Sequence, residues 1–550
     1  MRLINTSTGW VEEFLGRNIP KYAILSHTWE EEEVSFKDMS NSDHMRKKGY
    51  RKICKTCQMA SQAGIPYAWV DTCCIDKSSG AELTEAINSM YRWYERAEIC
   101  YVYLSDLPAS APLNTALRRC RWNTRGWTLQ ELVAPENIDF FDQDWNNIGS
   151  KQRLVRELEK ITGIGEKILL HKQPLKSVLV AHKMSWAARR ETTRIEDTAY
   201  CLLGIFGVNM PLLYGEEEKA FRRLQEEIIK STPDLSIFAW TIPKTINPSQ
   251  GPDERVYSGI LAESPAAFSM AAVNPSGRSP EFSVTNKGIK SQVAMFIGPV
   301  PGKRGERYVL PLHNWSPASS RLGILLRKFD IDQFVREDPS TLIECSDRRR
   351  YAAPQEIYCP MEFPLPYKGS SIAEMRPLFL QFRLPPEMRI KYESVEPKSR
   401  YDVEDQLFFT PEPLGSDPCT LSLSLDVSSE FKAECTFIIA SWWSGISMQY
   451  SLVHDEPFHS VLDDIRDKLG KQTCSNWQML RYLASNNISR SRSVVISIPG
   501  GHTNVLISAR HTLDPISQMV LSFEILETRK VPTILREKWE IEEKSRFIYQ

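Results

Sequence analysis

Long apolar runs are missing from this 550-residue chain. Its most apolar stretches, residues 199–214 (AYCLLGIFGVNMPLLY) and 436–443 (TFIIASWW), are too short or too interrupted for a bilayer, which a helix crosses with about 20 apolar residues. Residues 1–16 (MRLINTSTGWVEEFLG) hold no apolar core of about seven residues, so neither a secretory signal nor a membrane span is expected. Charge of one sign is also missing. The 68 basic and 69 acidic residues leave a net charge of −1, which argues against nucleic acid as a partner, because phosphate neutralisation needs clustered Lys and Arg. The 12 Cys carry no framework spacing and read as reduced thiols, placing the protein in the cytoplasm.

Other absences remove whole chemistries. No Gly-x-Ser-x-Gly elbow follows a strand, so a serine hydrolase is not encoded. Residues 298–304 (GPVPGKR) are one residue short of a phosphate loop and lack the Ser or Thr that would hold magnesium. Cys54 and Cys57 form a lone CxxC. Even with Cys73 and Cys74 it has no second CxxC or His pair at metal-finger spacing, so buried thiols are expected rather than a metal.

What is present is a globular composition, 42% hydrophobic and 25% charged, which excludes a disordered chain and a coiled-coil rod. Proline divides it. Residues 1–240 hold 8 of the 34 Pro and residues 241–550 the other 26. Pro is kept out of helix interiors and central strands. The first part is therefore expected to hold regular elements, and the second short strands with many turns. Residues 241–253 (TIPKTINPSQGPD) read as a linker.

In the first part, apolar runs at 22–26, 67–71, 99–104 and 138–141 read as strands. Helical spacing over 50–63, 83–97 and 128–133 alternates with them. That order predicts an α/β domain with a parallel sheet over residues 1–148. Residues 149–240 read as a helical extension. Leu154, Leu158 and Ile161 form one apolar face. A capping box of Thr193 and Glu196 is expected to open a helix with Ile195, Ala199, Leu202 and Phe206 inward. Ala220, Phe221, Leu224 and Ile228 mark a third helix. Residues 254–550 read as a β-rich domain, sandwich- or barrel-like, with strands near 255–262, 282–286, 292–297, 307–311, 322–327, 378–383, 435–442, 493–498, 503–508 and 519–526.

Open parallel sheets bind ligands at the carboxyl ends of their strands. Those ends carry Ser26, His27 and Trp29 after the first strand, and Asp71 and Asp76 after the second. Arg125, Trp127 and Glu131 lie before the fourth. Each has an ordinary structural use: His27 as a hydrogen-bonded histidine, Asp71 and Asp76 as turn caps, the tryptophans as core. Glu131 sits on a short helix and is one carboxylate without an acid partner, which does not make an ordinary glycosidase. One fixed anion suffices where the leaving group is already cationic, as nicotinamide is in NAD⁺.

The segments 22–29 (YAILSHTW), 69–77 (WVDTCCIDK), 125–135 (RGWTLQELVAP) and 194–225 (RIEDTAYCLLGIFGVNMPLLYGEEEKAFRRLQ) resemble the fungal HET, or heterokaryon incompatibility, domain over about residues 20–230. The resemblance implies a role in fungal non-self recognition and programmed cell death. It also implies a distant likeness to TIR domains, in which the Trp127-to-Leu132 segment resembles the one bearing a catalytic glutamate. On that likeness Glu131 is the catalytic candidate for NAD⁺ glycohydrolysis, with NAD⁺ as substrate and no cofactor. Ser26, His27, Trp29, Asp71, Asp76, Arg125 and Trp127 are the substrate-binding candidates. Self-association through the HET domain and an unidentified protein partner or sensor are implied with it. A non-catalytic, self-associating signalling module stays open beside the enzyme, as does the role of the β-rich part.

Overall fold

The computed structural model describes residues 1–243 except 17 and 110, most of 256–363, and beyond that the strands and turns named below as far as residue 529. The linker reading of 241–253 falls largely outside the described residues.

Seven strands form the first sheet: β1 (Arg2–Asn5), β2 (Val11–Glu13), β3 (Tyr22–His27), β4 (Tyr67–Trp69), β5 (Ile99–Tyr103), β6 (Ile138–Phe141) and β7 (Asn147–Ser150). They lie in the order β2-β1-β4-β3-β5-β6-β7. The four central strands, β4, β3, β5 and β6, are parallel. β1, β2 and β7 run antiparallel at the two edges, so the sheet is mixed rather than parallel throughout. These edge strands are three or four residues long, and β2 is at most half-buried. A buried central strand reads as an apolar run, and a short edge strand does not. β3 is the centre of the domain, with all six residues buried.

In sequence order the parallel strands lie 2-1-3-4, the doubly wound order with its switch point between β3 and β5. The helices are α1 (Tyr50–Gln62), α2 (Asp71–Cys74), α3 (Gly80–Arg96), α4 (Leu113–Arg119) and α5 (Thr128–Val133). β4 is shorter than expected. It stops at Trp69, and Asp71 opens the single turn of α2. α3 is capped by the Ser79 side chain, which accepts from the Glu82 amide, and it buries Ala86, Ile87, Met90 and Tyr94 at i, i+3, i+4 spacing. All six residues of α5 are buried, which is what an apolar helix carrying one Glu and one Gln needs if those two find partners.

The helical layer follows: α6 (Lys151–Thr162), α7 (Glu166–Leu169), α8 (Val180–Ala187), α9 (Asp197–Tyr200), α10 (Leu203–Phe206) and α11 (Lys219–Ser231). α6 and α11 bury the expected faces, apart from a half-buried Ile161. The helix expected from Ile195 to Phe206 is instead two four-residue turns, α9 and α10. Ile195 is exposed. No capping box forms. Glu196 turns its carboxylate to the Gly215 and Glu217 amides, 2.6 and 3.3 Å away, and so clasps the loop before α11.

Beyond residue 256 there are four sheets among the described residues, each open-ended. One has three strands, centred on Gly288–Val293. Another runs from Tyr257–Ser258 through Phe334–Glu337, Arg321–Lys328, Glu306–Pro311 and Phe296–Pro299 to Arg350–Tyr351, with Ile343–Cys345 beside it. The strand expected at 292–297 is split between two sheets. A six-stranded sheet contains Phe379–Arg383, Met519–Arg529, Thr503–Leu513 and Ser493–Ser497, and a four-stranded one contains Met388–Glu396 to Gln449–His454. The pair Phe379–Arg383 and Met519–Arg529 is parallel; every other strand pair in these sheets is antiparallel.

The helical layer and the first β-rich sheets share one core. The Gln225 amide exchanges two hydrogen bonds with the Ala262 backbone, at 2.8 and 3.0 Å. Arg336, fully buried, donates to the Phe238 and Trp240 carbonyls and stacks over the Trp240 ring. No helix among the described residues is long and apolar enough to cross a membrane.

Candidate functional site

β3 ends beside the switch point, and its last residues set the site. Ser26 is fully buried. Its hydroxyl donates to Glu131 Oε2 at 2.5 Å and accepts from the Trp122 indole N–H at 2.7 Å. Residues 105 positions apart meet because α5 packs over the carboxyl end of β3. Burial pushes the Glu131 carboxyl up to about 8. The Ser26 hydrogen bond opposes that, nearby Asp71 adds to it, and Arg125 and Tyr94 oppose it. At rest near neutral pH, Glu131 is a protonated acid in a dry setting.

A second cluster forms around Asp71, at the start of α2. Asp71 Oδ1 lies 3.1 Å from His27 Nε2, and its Oδ2 accepts from the Trp29 indole at 2.9 Å. The other imidazole nitrogen, Nδ1, lies 3.2 Å from the Lys52 ammonium, which also donates to the Thr28 carbonyl and pairs with Glu33. An ammonium can only donate, so Nδ1 accepts and the Nε2–H donates to Asp71. Both ring nitrogens of His27 are thus engaged, which makes it a bridge between Lys52 and Asp71. Burial alone would raise the Asp71 carboxyl. Lys77, 3.8 Å away, together with the His27 and Trp29 hydrogen bonds, holds it below the usual carboxylate range instead. The two carboxylates of this rim are pushed in opposite directions, the pattern found where one acid and one anion are needed.

Trp29 is 45% exposed and lies on a half-open cleft of about 260 Å³. Thr28, Arg121, Thr124, Arg125, Glu191, Thr192 and Thr193 complete its lining. Arg121 is already paired with Glu30 and Asp106. The Arg125 guanidinium makes no hydrogen bond or ion pair among the described residues. The loop that presents it is tied down by hydrogen bonds to residues 190 and 191. Arg190, half-buried, donates to the Arg125 carbonyl at 2.8 Å and to the Thr128 hydroxyl at 2.9 Å. Gly126 bonds to the Glu191 carbonyl at 2.9 Å, and a Cβ on it would lie 2.5 Å from Thr192 Cγ2. A free guanidinium among threonine hydroxyls suits an oxyanion.

The eight sequence candidates therefore separate. Ser26 and Glu131 are buried together; His27, Trp29 and Asp71 form the adjoining cluster; Trp29 and Arg125 face the cleft. Glu131 is not part of the cleft lining. Trp127 points the other way and donates to Asp197 at 3.3 Å, tying the rim to the helical layer. Asp76 closes an Asx turn by accepting from the Ser78 amide and hydroxyl, at 3.0 and 2.6 Å. Trp122, Lys52, Lys77 and Arg190 were missed. Lys77 stands inside the quoted WVDTCCIDK segment and Trp122 three residues before Arg125, so their neighbourhood was legible. A lysine buried in α1 leaves no trace in periodicity. No group of three or more His, Cys, Asp or Glu able to hold a metal occurs among the described residues.

With this geometry in hand, the comparisons place the first part of the chain. Residues 22–114 match the family model described as heterokaryon incompatibility protein (HET). Residues 22–114 are a HET domain. The chain is also 47% identical over 236 residues to vegetative incompatibility protein HET-E-1 of Podospora anserina, covering 41% of this chain. It spans only 17% of that relative's length. The HET match ends at residue 114, before Arg125 and Glu131, which pack against it through the contacts just described. Residues 219–279 match a domain of unknown function (DUF8212), running from α11 past the start of the β-rich part. No solved structure matches the chain.

Proposed function

We propose that this chain acts in fungal non-self recognition of the heterokaryon-incompatibility type, as a cytoplasmic cell-death effector, and that its HET domain is TIR-like and cleaves the N-glycosidic bond of NAD⁺. The observation that carries the chemistry is the Ser26–Glu131 contact at the carboxyl end of β3, with Trp29 and Arg125 on the cleft beside it. The similarity to a vegetative incompatibility protein supports the biological role.

In NAD⁺ glycohydrolysis the C1′–N bond breaks, its electron pair leaves with neutral nicotinamide, and water adds at C1′ with loss of a proton. No acid is needed for the leaving group. What is needed is an anion near the oxocarbenium-like centre. Glu131, protonated at rest, ionises more readily beside the cationic nicotinamide ribosyl group, since opposite charge favours the charged form. Arg125 suits the diphosphate and Trp29 the planar ring.

One observation favours a second reading, a non-catalytic module that signals by self-association. The Glu131 side chain is buried and does not line the cleft, and its carboxyl group is occupied by Ser26. The two are separated by nicotinamide release from NAD⁺ with the full chain, wild type against Glu131→Gln. The enzyme reading expects release that falls at least about 100-fold in the variant. Equal release moves the site elsewhere. No release from a wild-type chain that self-associates at the same concentration leaves the module reading.

A further inference from the structure

The exposed face of Trp29 is not empty. The Lys77 ammonium lies 3.6 Å from the centre of its ring and 3.8 Å from Asp71 Oδ2, while the same Asp71 oxygen accepts from the Trp29 indole. Trp29 and Asp71 thus make a corner that recognises a cation twice, by the negative face of an indole and by a carboxylate. The carboxylate is fixed on one side by His27, which is itself braced by Lys52. The corner is therefore built, whereas Lys77 reaches it from a loop between α2 and α3 on a flexible, part-exposed side chain. From the structure we infer that Trp29 and Asp71 form a binding site for a planar organic cation, and that Lys77 occupies this site as an internal competitor which the ligand must displace.

The cleft beside Trp29 explains why the ligand is planar and carries an anion elsewhere. The same cleft presents the Arg125 guanidinium, which has no hydrogen bond or ion pair among the described residues, and threonine hydroxyls alongside Glu191, so a ligand with a cationic ring at one end and an oxyanion at the other matches Trp29 and Arg125. This is the charge pattern of a pyridinium nucleotide. In that respect the inference rests on the NAD⁺ reading and deepens it with a self-inhibiting contact. Recognition of the cationic ring by Trp29 and Asp71 does not itself require turnover.

The test uses the full chain and the N-methylnicotinamide cation as probe, with binding read by calorimetry. Replacing Lys77 by Met removes the competitor and leaves Trp29 and Asp71 intact, so affinity is expected to rise by roughly tenfold, the order of a partly desolvated cation–π contact. Lys77→Arg, which can still stack, is expected to stay close to wild type. Adding Trp29→Leu to Lys77→Met is expected to remove the gain, which separates stacking from a change of net charge alone. Uncharged nicotinamide is expected to bind far more weakly than the cation in every variant.

An affinity unchanged by Lys77→Met would overturn the inference. So would a gain that survives Trp29→Leu, or equal binding of the neutral ring. Nicotinamide release from NAD⁺ is measured on the same samples. Tighter cation binding with no release supports the site while refuting the hydrolytic reading, and release without any Lys77 effect does the reverse.

Discussion

Replacing Glu131 by Gln is expected to stabilise the domain at neutral pH and to destabilise it slightly in acid. In the unfolded chain Glu131 ionises at its ordinary value of 4.5, and in the fold it does so at about 8. The folded state therefore binds the proton more tightly between those values. Its stabilising contribution is complete below about pH 4.5 and is lost progressively as pH rises towards 8. Near pH 7 the gap is about 2.5 pH units, and at about 1.36 kcal/mol per unit the wild type forfeits roughly 3 kcal/mol. Gln has no proton to hold and forfeits nothing. It keeps an oxygen for the Ser26 hydroxyl, but it adds an amide N–H₂ to a buried site, at a cost of about 1 kcal/mol. The net expectation is a variant about 2 kcal/mol more stable near pH 7 and about 1 kcal/mol less stable near pH 4. Urea titrations of the full chain, followed by hydrogen exchange in peptides from β3 and α5, assign the transition to this domain. A Gln variant less stable than wild type by the same amount at both pH values would refute the argument, because Glu131 would then titrate in the fold as it does in the unfolded chain. A stabilised variant that loses activity is the usual signature of a strained functional group.

Four other expectations follow from the same contacts. Ser26→Ala leaves the Trp122 indole N–H without its acceptor and is expected to cost about 1–3 kcal/mol in urea titration. It also removes the hydrogen bond that holds the Glu131 carboxyl down, so the pH midpoint of any Glu131-dependent activity should move upward. Asp71→Asn abolishes an acid whose folded value lies below 3.8. The wild type should hold its stability above about pH 4 and lose it as pH falls below that value, and the variant should lack this acid limb in pH-dependent unfolding. A Cβ at Gly204 would fall 2.1 Å from Tyr91 Cβ, so Gly204→Ala should force α10 off α3 and cost about 3 kcal/mol, and a wild-type urea midpoint would contradict that contact.

The central α/β layer was legible because its strands are buried on both faces and read as apolar runs, as in YAILS and ICYVY. β1 was not, since only Leu3 and Ile4 of its four residues are buried, and such a pair has no period. The α9–α10 break was hidden by a good helical spacing. The break falls at Cys201 and Leu202, which carry no breaker residue, and Glu196 is drawn to a loop that no local pattern connects to it. At the rim, the residue types were readable strand end by strand end, but their grouping was not. Ser26 with Glu131, and Trp127 with Asp197 instead of Glu131, are tertiary facts set by how α5 and α9 pack.

The most direct test of the proposed chemistry is the pH dependence of kcat/KM for nicotinamide release from NAD⁺ by the full chain. Glu131 must be ionised to stabilise the oxocarbenium-like state, and kcat/KM reports groups of the free enzyme. A rise of about tenfold per pH unit that levels off near 8, absent in Glu131→Gln, is the expected result. A profile flat from about pH 6 to 9, or one that the Gln variant reproduces, would contradict the assignment of Glu131 as the acting carboxylate.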